Sequence, residues 1–528
     1  MSLLNFWPGF SFPASLSALI AYFLSPVNKA VYGIQRSRHP LMKKSVSFRK
    51  TTTRLSSFSF TPPWIAICSL CLLAASLTAE SFAQLPAPQI PTFKKFTPVS
   101  QTQNHTTEQK EEPDTRPKHN HGSALQPPKA DAIMPDHIYN TLRKDNATLT
   151  PGGSIPGKTA SSVDIVRSVL NEMKSYEPAI QYRFPSLASA PGHARFVAAY
   201  KELTDMLEGR GTPDLKRAVF ITENAFFGNR MSYTDYQATI AEMTTLIRLK
   251  TRQEKLPTRD NDAILYMTRQ YFTDTLDIKL PHHEKTVTTF PKTYDFQDPF
   301  GHENPTKMFV SKLMAENSGQ CKSLPLLFLI LVYEMGGNAY LSFSPSHSYV
   351  KCKDKNGTWY NIELTNGALT SDSWVVGSGY VKSEAVKSGI FLDTLNKRQI
   401  IAQCLVDLAQ YYTWRYRAYN DFVLTCVNKA IEHHPNNIWA IQVKSDYYTL
   451  LFQYISEQKG FTGPESLKND PKALELFTQR NRLYALIDGL GYEPIPEQLY
   501  MDWLKTLDEK RQQQERKQRY SNFSKMIR

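Results

Sequence analysis

Apolar residues recur at three- and four-residue spacing along much of the chain. Phe196, Tyr200, Leu203 and Leu207 form one such stripe, and Val163, Val166, Val169, Leu170 and Met173 an earlier one; this is the period of an amphipathic helix. Residues 214–228 begin on an acid after Pro213 and end on a glycine, and 231–250 and 262–272 carry the same helical pattern. The pattern changes between 305 and 367. Ser323 to Met335 is apolar on every side, with Pro325 in the first turn and Gly336-Gly337 at the end, as expected of a buried helix. Three short strand patterns follow: 339–344, one carrying His347 to Cys352, and, past a Lys-Asn-Gly turn, 358–364. From Lys397 to about residue 490 helical spacing returns. The predicted fold class is α+β, a small core of one helix on an antiparallel sheet flanked by helical regions.

The chain has 528 residues, 41% hydrophobic and 12% aromatic, which excludes wholesale disorder and leaves room for several domains. Its net charge of +13 is concentrated at the ends. Residues 1–79 hold eight Lys or Arg and no acid, and 505–528 hold eight basic and three acidic residues. The stretch between them is close to neutral, so no nucleic-acid partner is expected. Basic residues from Lys43 to Arg54, the apolar run Trp64–Leu77 and the small-residue site Ser81-Phe82-Ala83 are the parts of a secretory signal. Met42 is a second candidate start. Neither N-terminal apolar run has the roughly 20 residues of a membrane span, so an exported protein is expected, periplasmic or extracellular in a bacterium, with no stable span beyond the leader. Residues 84–160 contain 11 of the 33 prolines and read as an extended or disordered linker. The expected organisation is leader 1–83, linker 84–160, helical region 161–300, core 301–390, helical region 391–505 and polar tail 506–528. His119 and His121 in the linker read as solvated residues rather than metal ligands. The adjacent pairs His282-His283 and His433-His434 read as surface residues, since neighbours point to different faces of any regular element.

Chemistry concentrates around Cys321. Ser318-Gly319-Gln320 is a turn that sets this cysteine at the mouth of the apolar helix. Unpaired N–H groups and the positive end of the helix dipole favour thiolate there. The helix spans about 20 Å at about 1.5 Å per residue, and the strand after it advances about 3.3 Å per residue, enough to bring His347 back beside Cys321. Strand parity adds a third group. Val350 and Cys352 share the apolar face with Ile362 and Leu364, leaving Asn361 and Glu363 on the side of His347. Nucleophile, base and orienter form the arrangement of cysteine hydrolases, and the expected catalytic residues are Cys321, His347 and either Glu363 or Asn361. No cofactor or metal is called for. Cys352, Cys404 and Cys426 read as structural; a Cys404–Cys426 disulfide is one pairing an exported chain would allow.

The Gly-Gln-Cys turn before an apolar helix, His347 on a following strand, and Trp359 four residues ahead of an acid in WYNIELT resemble the core of the transglutaminase-like (papain-related) superfamily. Its motif is a cysteine at a helix start, a histidine, and a Trp-x-x-x-Asp-x-Thr strand. The PSHSYVK and ELTNG stretches resemble its bacterial invasion-regulator type, in which tetratricopeptide repeats follow the core. Ala430, with Pro435 five residues on and a new apolar helix after it, is similar to the end of such a repeat. The resemblance implies a thiol nucleophile at Cys321, a base at His347 and Glu363 in the place of the Asp, acting on a peptide or protein substrate. It also implies a protein partner on repeat-like C-terminal helices, and it leaves open a non-catalytic scaffold that keeps the geometry. Two departures stand out. Glu363 is one methylene longer than the usual Asp, and Lys322 stands where many transglutaminases carry an oxyanion-holding Trp.

Overall fold

The computed structural model describes residues 181–281, 285–378, 381–461, 464–496 and 498–506, with isolated residues on either side. The leader, the linker with His119 and His121, the pair His282-His283 and most of the polar tail lie outside the described residues. The architecture is α+β. Among the described residues, four helices precede the strands: α1 (His193–Glu208), α2 (Leu215–Phe226), α3 (Tyr233–Gln253) and α4 (Asn261–Thr273). Three of them start on a side-chain cap: Asp214, Ser232 and Asp260 each accept a first-turn N–H. Strands then appear inside the stretch expected to be helical. β1 (Leu276–Lys279) and β2 (Thr286–Thr289) form an antiparallel hairpin, and β3 (Thr293–Tyr294) follows. Four-residue strands offer too little alternation to outweigh the helical periodicity before them.

The core opens with α5 (Val310–Glu316) and β4 (Ser318–Gly319), which pairs in parallel with β3. Next comes α6 (Ser323–Glu334), with Leu327, Leu329, Leu331 and Val332 fully buried, each worth about 1.5–3 kcal/mol of transfer free energy. It packs on α3, α4 and α5 on one side and on β5 (Tyr340–Ser344) and β6 (His347–Lys353) on the other. β7 (Trp359–Glu363) and β8 (Ala368–Thr370) complete a four-stranded antiparallel sheet in sequential order. The turn between β5 and β6 has two residues, Pro345 and Ser346, with Ser346 at φ 55°. A proline followed by a left-handed residue is the type II pattern, and it delivers His347 directly at the start of β6.

After two short helices, α7 (Asp372–Ser378) and α8 (Ser383–Ser388), the chain enters α9 (Lys397–Tyr416), α10 (Asp421–His433), α11 (Ile438–Lys459) and α13 (Pro471–Gly489). Asn396 and Gln399 form a reciprocal capping box at the start of α9. These helices pack as successive neighbours, and α9 also packs on α1 and α2, so helices from both ends of the chain share one layer. Residues 460–470, with α12 (Pro464–Lys468), belong to a separate compact unit. Among the described residues no helix is long and apolar enough to cross a membrane.

One expectation is corrected here, and one open pairing is decided. His434 is buried, because α10 ends at His433 and the next residue turns inward. Cys404 and Cys426 carry no disulfide; all four described cysteines are free and buried.

Candidate active site

Cys321 sits between β4 and α6. Gly319 is required just before it: a Cβ there would lie 2.5 Å from Ser323 Oγ and 3.1 Å from Leu313. Ser323 Oγ in turn accepts the N–H of Gln320 (3.0 Å). The Gln320 amide nitrogen donates to the carbonyls of Asp295, Gln297 and Asp298 (3.2, 3.1 and 2.8 Å). Gln320 is thereby committed to holding the loop after β3 rather than to the reacting centre. From the other side, Ser348 Oγ donates to the Cys321 carbonyl at 2.6 Å, tying the nucleophile's backbone to the strand that carries the histidine.

His347 Nε2 lies 2.7 Å from Glu363 Oε2, and Glu363 Oε1 accepts the N–H of Thr365 at 2.9 Å. The longer Glu therefore reaches the imidazole, with Thr365 fixing its second oxygen. Asn361, the alternative orienter, is not at the histidine. Register sets it opposite Lys351, and its amide donates to Asp372 at 3.1 Å. Lys351 donates to the same carboxylate at 2.6 Å, so Asn361 belongs to a buried ion-pair cluster on the sheet.

With Nε2 engaged, Nδ1 is the nitrogen left to act on the thiol, and it makes no hydrogen bond of regular geometry among the described residues. Burial by itself would raise the Cys321 thiol, but the hydrogen-bonding and positive charge of His347 outweigh it and lower the pKa, with Tyr500 contributing. Burial would lower His347, yet the Glu363 charge and the thiolate hold it above its usual range. Burial opposes ionisation of Glu363 too, and His347 and Thr365 overcome it to lower that pKa. Both shifts of the Cys–His pair move it towards thiolate–imidazolium.

The C-terminal segment supplies groups that no local pattern marks. In the helical stretch 498–506, the Tyr500 hydroxyl lies 3.8 Å from the Cys321 sulfur and the Trp503 ring meets His347 edge-on at 4.8 Å between centroids. Phe300, on the loop that Gln320 holds, packs on Tyr500 at 4.9 Å. Cys321 and His347 are each 7% exposed as a result. Lys322 pairs with Asp407 at 2.7 Å and donates to Tyr411 at 3.0 Å, anchoring the start of α6 to α9. A cavity of about 320 Å³ runs from Cys321 and His347 to α9 and α11, bordered by Phe343, Trp414 and Trp439. Among the described residues no group of three or more His, Cys, Asp or Glu is arranged to hold a metal ion.

In comparison with known proteins, no family model matches the chain, and neither a curated protein nor a solved structure matches it.

Proposed function

We propose that this chain is an exported cysteine hydrolase of transglutaminase-like type that cleaves a peptide or amide bond. The observation carrying the reading is the buried Glu363–His347 contact at 2.7 Å beside a thiol whose pKa is lowered by the same imidazole. In this mechanism the Cys321 thiolate attacks the substrate carbonyl, and His347 gives its proton to the leaving amine as the C–N bond breaks. A thioester forms; water, deprotonated by the now neutral His347, then releases the acid and returns the thiol. Glu363 holds the ring and its charge throughout. The N–H of Cys321 and the Tyr500 hydroxyl are the donors at hand for the tetrahedral oxyanion.

The test is hydrolysis of a fluorogenic peptide-amide library by the full chain. Turnover that vanishes in Cys321→Ala and His347→Ala supports the reading; turnover that persists in Cys321→Ala overturns it. A second reading, a non-catalytic scaffold whose C-terminal helices bind a protein partner, is favoured by the cover that Tyr500 and Trp503 place over the pair. It predicts no turnover from wild type even after Trp503→Ala. N-terminal sequencing of secreted protein tests export: cleavage after Ala83 supports it, and an intact leader in the cytoplasmic fraction counts against it.

A further inference from the structure

The cavity beside Cys321 contains a charge that the proposed chemistry does not use. Lys322 and Asp407 line it as a pair 2.7 Å apart and neutralise each other. Asp446, from α11, lines it without a salt bridge or a side-chain hydrogen bond among the described residues. Its side chain is exposed to the cavity. The groups that feel its charge are the phenols of Tyr419 and Tyr492, which offer it no cation. Lys444, two residues away on α11, is directed to Asn428 at 2.8 Å. The remaining walls mix aliphatic and polar side chains with aromatic ones, Tyr419, Trp439 and Phe343 among them. An acidic side chain without a salt bridge, lining the same partly aromatic cavity as the nucleophile, fits a positively charged group on a long apolar stem.

We propose that the cavity is a subsite for a cationic side chain, the guanidinium or ammonium of an Arg or Lys residue in the peptide substrate, with Asp446 as its partner and the aromatic walls packing on its stem. The inference takes Cys321 as the reacting end from the reading above, but it is tested separately through binding. The probes are N-acetyl-arginine amide and its neutral isostere N-acetyl-citrulline amide, titrated calorimetrically into the full-length Cys321→Ala chain. Arginine amide is expected to bind about 30-fold or more tightly than citrulline amide. That ratio should collapse towards one in Asp446→Asn and recover in Asp446→Glu. Equal affinity for the two probes, or a ratio that survives Asp446→Asn, overturns the subsite. Fluorogenic amides carrying the same two side chains, given to the wild-type chain, separate the two claims. Arginine selectivity in binding with no turnover removes the hydrolase and keeps the subsite. Turnover without arginine selectivity removes the subsite and keeps the hydrolase.

Discussion

Replacing Glu363 by Gln alters one atom and should disable the thiol. The carboxylate's Oε1 accepts the Thr365 N–H while Oε2 faces His347 Nε2. A Gln cannot point its amide nitrogen at Thr365 N–H, donor against donor, so its oxygen stays there and its NH₂ turns to the imidazole. Nε2 must then accept, which puts the ring proton on Nδ1, the nitrogen needed to receive the thiol proton. The charge effect relayed through His347 has the same sign and opposes the smaller direct effect, in which the Glu363 charge itself raises the thiol. Glu363 is the largest influence raising His347; without it burial dominates, the ring is neutral near pH 7, and Cys321 loses the positive neighbour that lowers it. Each pKa unit by which the Cys321 thiol rises cuts its thiolate fraction about tenfold above neutrality, so alkylation at pH 7 should slow by about tenfold or more. The assay is the iodoacetamide rate at Cys321, read by mass spectrometry from pH 5 to 9. Cys404 is the internal control, because it lines the same cavity and burial raises its pKa. A Glu363→Gln profile superimposable on wild type, or a wild-type Cys321 no faster than Cys404 below pH 8, refutes the reasoning.

Tyr500→Phe removes the hydroxyl that helps lower Cys321, so its alkylation profile should move to higher pH; a profile unmoved or shifted downward rules that donor out. Lys351→Met removes the cation paired with the buried Asp372 carboxylate, which should destabilise the fold by about 3–5 kcal/mol, and adding Asp372→Leu should restore most of it; urea denaturation measures both. Glu223 caps the first turn of α5 through the N–H groups of Val310 and Ser311, yet burial pushes its carboxyl up to about 7. Because the folded-state pKa lies above the unfolded one, its stabilisation is complete below about pH 4 and is lost as pH rises through 7. Melting scans of wild type against Glu223→Gln should show the wild type losing ground across that window, and parallel curves would contradict the shift. Ser346→Gly relieves a left-handed serine in the turn before His347 and should raise the melting temperature slightly, by about 0.5–1 kcal/mol of stability.

The parts of the site that were legible are those bound to local rules. Cys321 was marked by a turn running into a uniformly apolar helix, and Glu363 by strand parity relative to His347. Parity could not separate Glu363 from Asn361, since both lie on one face; the ladder register, which puts Asn361 across from Lys351, decides between them. The β1–β2 hairpin was missed because each strand has four residues. Tyr500 stands 179 residues from Cys321, and Asp446 meets the cavity only through the packing of α11. Contacts at that separation leave no period or spacing behind them. Lys322 is plain in the sequence, but its bond to Asp407 depends on where α9 docks.

The sharing of one layer by α1, α2 and α9 bears on how the chain is made. His193 on α1 meets the Tyr412 hydroxyl on α9 at 3.0 Å across 219 residues, and Tyr416 reaches back to the Pro191 carbonyl at 2.9 Å. At a synthesis rate of about 5–20 residues per second, the greasy side of the first helix waits roughly 10–45 s for its companion to leave the ribosome. Nascent chains should therefore be held by chaperones over that interval, and a circular permutant that places α9 next to α1 in the sequence should fold faster than the natural order.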